Sequence, residues 1–426
     1  MDTIFSLSSA QGKAGISIVR VSGHEASKSC KRIAGFLPKL GQPILSRLKD
    51  SKGELIDRGL VLYFEKGSSF TGETTIEYHV HGSSAVIDKL LSELSSQPRH
   101  REANPGEFTR RALENGNLDI SQIEGLSDLI SSETEAQRKQ AIKLFEGAIG
   151  KKVSQWRASL IKAGSLIEAT IDFSEEEIPS GLNVSVITIL EEVIVDLEKE
   201  IEGSKVSERV RLGFEVAILG APNVGKSTFI NALAGREAAI TSEYAGTTRD
   251  VIEVRMDLNG LPVTFLDTAG LRDTQDEIER IGIKKAKSRA SAADLRILLT
   301  DSEVKQRNIK DLDIDITVRS KADLTGFGVS GKTGQGIPEL IDLIGKKIKT
   351  LSLGGGISAH ERHRLAMVKA VNALKICINE LIDGTCRPEI AAEELRSGIL
   401  ALESMVGSVG VEDFLDKIFS EFCIGK

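Results

Sequence analysis

The chain has 426 residues, 40% apolar and 27% charged, with 62 acidic against 55 basic side chains and a formal charge of −7. That length asks for two to four domains, and that balance asks for folded cores rather than a disordered or low-complexity protein. An overall basic field is excluded, so any nucleic acid would have to be met by a local patch.

The low aromatic content, 4%, points to helical cores built from Ala, Leu and Ile. Cys30, Cys377, Cys386 and Cys423 are scattered without metal-ligand spacing, as expected of reduced thiols in a cytosolic protein. The N-terminus lacks a basic region followed by an apolar one. The best apolar run, near residues 184–195, is broken by Glu191 and Glu192. No membrane span and a cytoplasmic location are therefore expected.

In chain order, residues 16–21 alternate like a strand, and residues 60–64 and 75–80 follow as further strands. Residues 84–94 have helical spacing. The first 117 residues thus read as an α+β module. Residues 118–210 carry long helical patterns, with Ile123, Leu126, Leu129 and Ile130 forming one stripe and Leu160, Ile161, Leu166 and Ile167 another. Residues 211–350 return to strand–helix alternation, with strands expected at 216–219, 263–266, 295–299 and 314–318. After a glycine run at 354–356, read as a hinge, helices resume at 359–381, 388–405 and 413–422. Helical segments on both sides of an α/β segment predict one discontinuous helical domain, 118–210 with 351–426, interrupted by an inserted domain.

The inserted segment carries the most specific chemistry. Residues 220–228, GAPNVGKST, fit the phosphate-binding loop, between an apolar strand and an amphipathic helix. Backbone amides of Asn223, Val224, Gly225 and the residues after them would cradle phosphate, helped by the helix N-terminus. Lys226 would reach the β- and γ-phosphates, and Ser227 would bind Mg²⁺, with Thr228 beside it. Four further motifs follow in order. In the loop Ser242, Glu243, Tyr244, Ala245, Gly246, Thr247, Thr248, the last residue can complete Mg²⁺ coordination. Asp267, Thr268, Ala269 and Gly270 supply a water-mediated Mg²⁺ contact and a γ-phosphate sensor. Ser320, Lys321 and Asp323 read the guanine edge, while Ser330, Gly331 and Lys332 close over the base. Four such motifs in order predict a P-loop GTPase. Two residues depart from the common pattern. Ser320 stands where Asn is usual, which predicts weaker guanine affinity. Leu271 stands where a water-orienting Gln is common, so another group, among Asp273, Asp276, Glu277 and Glu279, has to do that work.

Read with Phe70-Thr71-Gly72-Glu73, Pro105-Gly106-Glu107-Phe108, the GTTRD and DTAGLR segments and the terminal Cys423-Ile424-Gly425-Lys426, the chain resembles the MnmE (TrmE) family over its whole length. These are GTPases that modify the wobble uridine of tRNA. The resemblance implies a homodimer through the N-terminal domain and K⁺ as an activating ion, held by Asn223, Ser242, Tyr244 and Thr247. It makes Ser227 and Thr248 the Mg²⁺ ligands and Glu279 the carboxylate that positions the catalytic water. It implies a tetrahydrofolate derivative, in the 5-formyl or methylene form, at Arg20, Glu77 and Lys426, with Asn117 at a position usually basic in the family. It gives Cys423 a catalytic role. It also implies a heterotetramer with an FAD-dependent MnmG (GidA)-like partner, and a carboxymethylaminomethyl-type product at position 34. The alternative is a regulatory GTP switch in ribosome or RNA assembly, which would need neither Cys423 nor a folate module.

Overall fold

The computed structural model describes residues 2–172, 182–236, 239–240, 253–267, 288–301, 313–382, 387–407 and 425. They form two compact units, one of residues 1–127 with 403–426 and one of residues 128–402. Among the described residues no helix is long and apolar enough to cross a membrane.

The first unit contains β1 (Thr3–Leu7), β2 (Ala14–Ser22), α1 (Ala26–Ala34), β3 (Ile44–Lys49), β4 (Leu55–Phe64), β5 (Thr75–Gly82), α2 (Ser84–Ser95), β6 (His100–Glu102) and α3 (Glu107–Glu114). Its sheet runs β3-β4-β5-β2-β1-β6, with every pairing antiparallel except β1 with β6. Alternation puts Val19, Val21, Val61, Ile76, Tyr78 and Val80 on one face, sealed by Cys30, Ile33, Leu90 and Leu94 of α1 and α2. Each such fully buried side chain stabilises by about 1.5–3 kcal/mol. The other face therefore receives Arg20 and Glu77, which stand opposite one another in the β2–β5 register.

An ion network around the buried Arg111 fastens α3 to this sheet. Arg111 donates to Glu73 at 2.9 Å and to Glu107 at 3.0 Å. Arg101 grips both oxygens of Glu107, at 2.6 and 2.8 Å. Ser22 donates to Glu73 at 2.8 Å. Burial pushes the Glu107 carboxyl up, but hydrogen bonds from Arg101, the Asn104 amide and Arg111 outweigh it and hold the group at about 2. Gly425, at φ +104, lies so close to β1 that a Cβ there would collide with the Leu7 carbonyl.

Between the units' sheets run α4 (Ile120–Ile130), α5 (Glu135–Phe145), α6 (Ala148–Asp172) and α7 (Leu182–Leu212) in sequence. Then come β7 (Phe214–Leu219), α8 (Lys226–Ala234), β8 (Glu253–Leu258), β9 (Leu261–Asp267), β10 (Leu295–Thr300), β11 (Ile316–Arg319), α9 (Ala322–Thr325) and α10 (Ile337–Leu351). The described part of the second unit closes with α11 (Glu361–Ile382) and α12 (Pro388–Glu403). In the second unit α7 packs on α6 and α11. Glycines at the helix crossings let backbones approach: Gly164 faces Leu395, and Gly398 faces Leu374. The inserted sheet runs β11-β10-β7-β9-β8, parallel except for β8 at the edge.

The glycine run at 354–356 is not a hinge. The Gly356 amide donates to Gly203 O at 2.9 Å, and Ser207 of α7 donates to Gly356 O at 2.8 Å. Glu200, itself buried, accepts from the amides of Ile357 and Ser358. Arg211, in the last turn of α7, donates to Ala359 O at 3.1 Å. The returning chain is thus bonded along α7. A second tie joins the α/β part to α5. Thr134 and Gln137 form a capping box, the Gln137 side chain also donates to Arg211 O at 3.0 Å, and the Ala136 amide donates to Gly260 O in the β8–β9 turn. The expected helix at 413–422 lies outside the described residues.

Candidate nucleotide-binding site

Four segments meet at the carboxyl ends of the parallel strands, where ligands bind in sheets of this kind. The loop after β7 starts at Gly220, whose φ of +152 and contact with Leu299 O leave no room for a side chain. Asn223 and Gly225 also have positive φ, 60° and 104°, so the loop curls around the N-terminus of α8. A concave ring of amides at a helix N-terminus is an anion cradle. Lys226 is buried, and its ammonium donates to Gly220 O at 2.8 Å and Ala221 O at 3.0 Å, which folds it over that cradle.

Next to it, Ser227 Oγ donates to Asp267 Oδ2 at 2.9 Å. Asp267 ends β9, a strand buried along its whole length, which fixes the carboxylate at this point. A hydroxyl and a carboxylate converging beside a phosphate cradle are hard oxygen donors suited to Mg²⁺.

A cleft of about 310 Å³ continues from the loop toward β11. Its lining includes Asn223, Val224, Gly225, Thr228, Ser320, Lys321, Asp323, Ser330, Gly331 and Lys332. Asp323 Oδ1 accepts from Ser330 Oγ at 2.7 Å, which orients the carboxylate and leaves its other oxygen for a ligand. Ser320 is buried, and its hydroxyl donates to Thr300 O at 3.3 Å, tying the loop to the end of β10. Lys321 takes φ 58°, and its ammonium pairs with Asp301 at 3.0 Å; that hydrogen bond lowers the Asp301 carboxyl from its ordinary range. Gly331 lies against the Thr228 carbonyl, closer than any Cβ allows, and so joins the base-side loop to α8. Leu299, Leu324 and Val329 also line the cleft. No motif marks them; their only sequence signal is their place beside the motif strands.

Of the other expected site residues, Ser242, Glu243, Tyr244, Ala245, Gly246, Thr247, Thr248, Thr268, Ala269, Gly270 and Glu279 lie outside the described residues, as do Cys423 and Lys426. On the first unit's open sheet face, Arg20 pairs with Glu77 at 2.9 Å and packs 5.7 and 5.6 Å from the ring centres of Phe70 and Phe108. His79 lies 3.3 Å from the second Glu77 oxygen. Asn117 donates to Ser69 O at 2.9 Å and to Phe70 O at 3.3 Å, so its amide serves the loop carrying Phe70. The buried thiols of Cys30 and Cys377 are pushed up by desolvation, to about 11 and about 12, and stay protonated. Among the described residues, no group of His, Cys, Asp and Glu is arranged to hold a metal ion by itself.

A family model described as the MnmE helical domain matches residues 120–423, and one described as the GTP-binding protein TrmE N-terminus matches residues 3–117. The chain is 52% identical to the tRNA modification GTPase MnmE of Cereibacter sphaeroides (strain ATCC 17029 / ATH 2.4.9), over 100% of both chains. It is 53% identical to the protein of the same name from Roseobacter denitrificans, again over 100% of both. Among solved structures it is similar to Era in complex with MgGDPNP and nucleotides 1506–1542 of 16S ribosomal RNA. That match has 26% identity over 38% of this chain and 66% of that one, and a TM-score of 0.27.

Proposed function

The chain belongs to the MnmE (TrmE) family, and from that membership we propose that it is a K⁺-activated GTPase that modifies C5 of the wobble uridine in certain tRNAs. GTP hydrolysis and a role in tRNA modification are common to the full-length relatives by name. The observation that carries the reading to this chain is a convergence at the carboxyl ends of the parallel strands: Lys226 folded over the phosphate loop, the Ser227–Asp267 pair beside it, and Asp323 in the cleft that continues from that loop. Asp323 accepts from the N1 and N2 edge of guanine, a pattern adenine cannot offer. Lys226 leaves its carbonyl partners for phosphate oxygens. Ser227 and Thr248 would hold Mg²⁺, with Asp267 acting through water.

No arginine lines the described cleft. Asn223, at its rim, with Thr247 and the backbone oxygens of Ser242 and Tyr244, would hold K⁺, a positive charge where negative charge builds between the β- and γ-phosphates. Glu279 positions the attacking water through a second water, the task Leu271 cannot do. Hydrolysis in K⁺ and Na⁺ buffers tests the ion: equal rates remove it. Glu279→Ala should slow turnover while leaving GTP binding intact.

The Arg20–Glu77 pair fits a flat, anionic, donor-rich ligand, since a guanidinium recognises carboxylates and a carboxylate accepts from ring N–H groups. A tetrahydrofolate derivative held there, with Asn117 and Lys426, would supply the one-carbon unit. The four-part division at 117, 210 and 350, a homodimer through the first domain, and a heterotetramer with an FAD-dependent MnmG (GidA)-like protein complete the reading. Cys423 would act on the tRNA side. If nucleosides from a deletion strain retain the modification, the tRNA reading fails; if Cys423→Ser retains it, only the thiol's role does.

A further inference from the structure

The chain as a whole is acidic, yet residues 138–167 hold seven basic side chains and a single acidic one, Glu146. This stretch covers most of α5 and the first five turns of α6. Part of that charge is used internally. Arg138 and Lys139 share Glu135, at 2.7 and 3.4 Å, and Lys152 pairs with Asp196 of α7 at 2.5 Å. Lys143, Lys151 and Lys162 are exposed, and among the described residues they form no ion pair. Arg157 is exposed as well.

On α6 the exposed positions Lys151, Gln155, Ala158 and Lys162 recur at helical spacing along one row, so both lysines project from the same side. Eleven residues separate them, about 16 Å along the axis. The neighbouring α7 has the opposite balance: residues 183–204 hold six acidic side chains and one basic. A solvated surface ordinarily intersperses both signs. Here the helix pair is polarised, positive on α5–α6 and negative on α7.

We propose that the exposed face of α5 and α6 is a docking surface for RNA, and specifically for the phosphate backbone of tRNA; this rests on the tRNA reading above. Three ammonium groups on flexible stems, in no ion pair among the described residues, suit phosphate oxygens spread along a strand. The only aromatic side chain of α6, Trp156, is buried, so the surface positions a backbone and does not stack bases. A lipid surface fits less well. Apart from Ile161 the exposed row lacks large apolar side chains, and the apolar stripe of α6 is spent on the helical core.

The test is binding of a tRNA transcript to the full-length protein across a salt series. The native chain is compared with K143E/K151E/K162E and with a comparator reversing three exposed lysines elsewhere, K31E/K347E/K349E. The α5–α6 variant should bind at least about tenfold more weakly, with a salt slope shallower by about 2 to 3. The comparator should stay within about threefold, and basal GTP turnover should be unchanged in both. Binding within about twofold of native at the same slope overturns the proposal and leaves the tRNA reading standing. Loss of binding to phosphatidylserine vesicles with tRNA binding intact also overturns it. A native protein that binds no tRNA at all overturns the tRNA reading and this surface with it.

Discussion

In the nucleotide cleft the described polar groups sit on loops, strand ends or first helical turns at the carboxyl edge of a parallel sheet. Lys226 and Ser227 follow β7, Asp267 ends β9, and Asp323 follows β11. In the other unit, Arg20 and Glu77 lie mid-strand, 57 residues apart, and meet only because β2 and β5 pair in one register. A loop can reshape around a changing ligand without disturbing the strands beneath it. A strand-borne pair cannot, because a one-residue slip of either strand would turn its member of the pair into the core. The first construction suits a site that cycles between nucleotide states, and the second one that holds a ligand in a fixed pose.

Four substitutions break or sharpen that contrast. The largest effect is expected for Asp267→Asn, which removes the charge beside Ser227. GTP turnover at saturating Mg²⁺ should fall by about a hundredfold, near 3 kcal/mol of transition-state stabilisation, with the fold intact by circular dichroism. A loss below threefold would deny Asp267 its part in the site.

Glu107→Gln strikes the strand-borne unit instead. Its carboxyl titrates near 2 in the fold against an ordinary 4.5, so the stabilisation it gives is present above pH ~4.5 and is lost as pH falls toward 2. Denaturant melts of native and variant should differ by about 2–3 kcal/mol at pH 7 and converge toward pH 2. Basal GTP turnover should not change; if it does, the two units are not independent.

Asp323→Asn should weaken GTP binding by about tenfold or more and favour xanthosine triphosphate, whose O2 accepts from the new amide. Titration with both nucleotides reads this directly. Ser320→Asn should have the smallest effect, tightening GTP binding by about threefold to tenfold through one added hydrogen bond. Unchanged affinity would mean that the Ser320–Thr300 tie already does all that this position does.

What was legible in the sequence follows the same divide. β2, β5, β7, β9, β10 and β11 stand out as alternating or continuous apolar runs, and the nucleotide loops are local motifs beside β7, β9 and β11. β3 (ILSRLK), β8 (EVRMDL) and α1 (ASKSCKRIA) are short and carry charge on their open faces, so no run marks them. The glycines at 354–356 suggest freedom by composition, but Glu200, more than 150 residues earlier, captures the amides beside them. Phe70–Glu73 and Pro105–Phe108 are visible as family marks. That Glu73 and Glu107 from these two marks meet on one arginine, Arg111, emerges only from the fold.

The bonds from α7 to the returning chain have a consequence for how the α/β part could be handled. Its outgoing segment leaves at Leu212, and its incoming segment is already bonded to Gly203 and Ser207, within about three turns of the same helix. Residues 213–355 are therefore a cassette: a linker of about six residues from Leu212 to Gly356 would close the gap, since six extended residues span up to about 20 Å. The helical core left behind would keep the Glu200 and Ser207 ties. Through the covalent chain, any displacement produced by nucleotide turnover is delivered to the bundle at one place, the C-terminal end of α7.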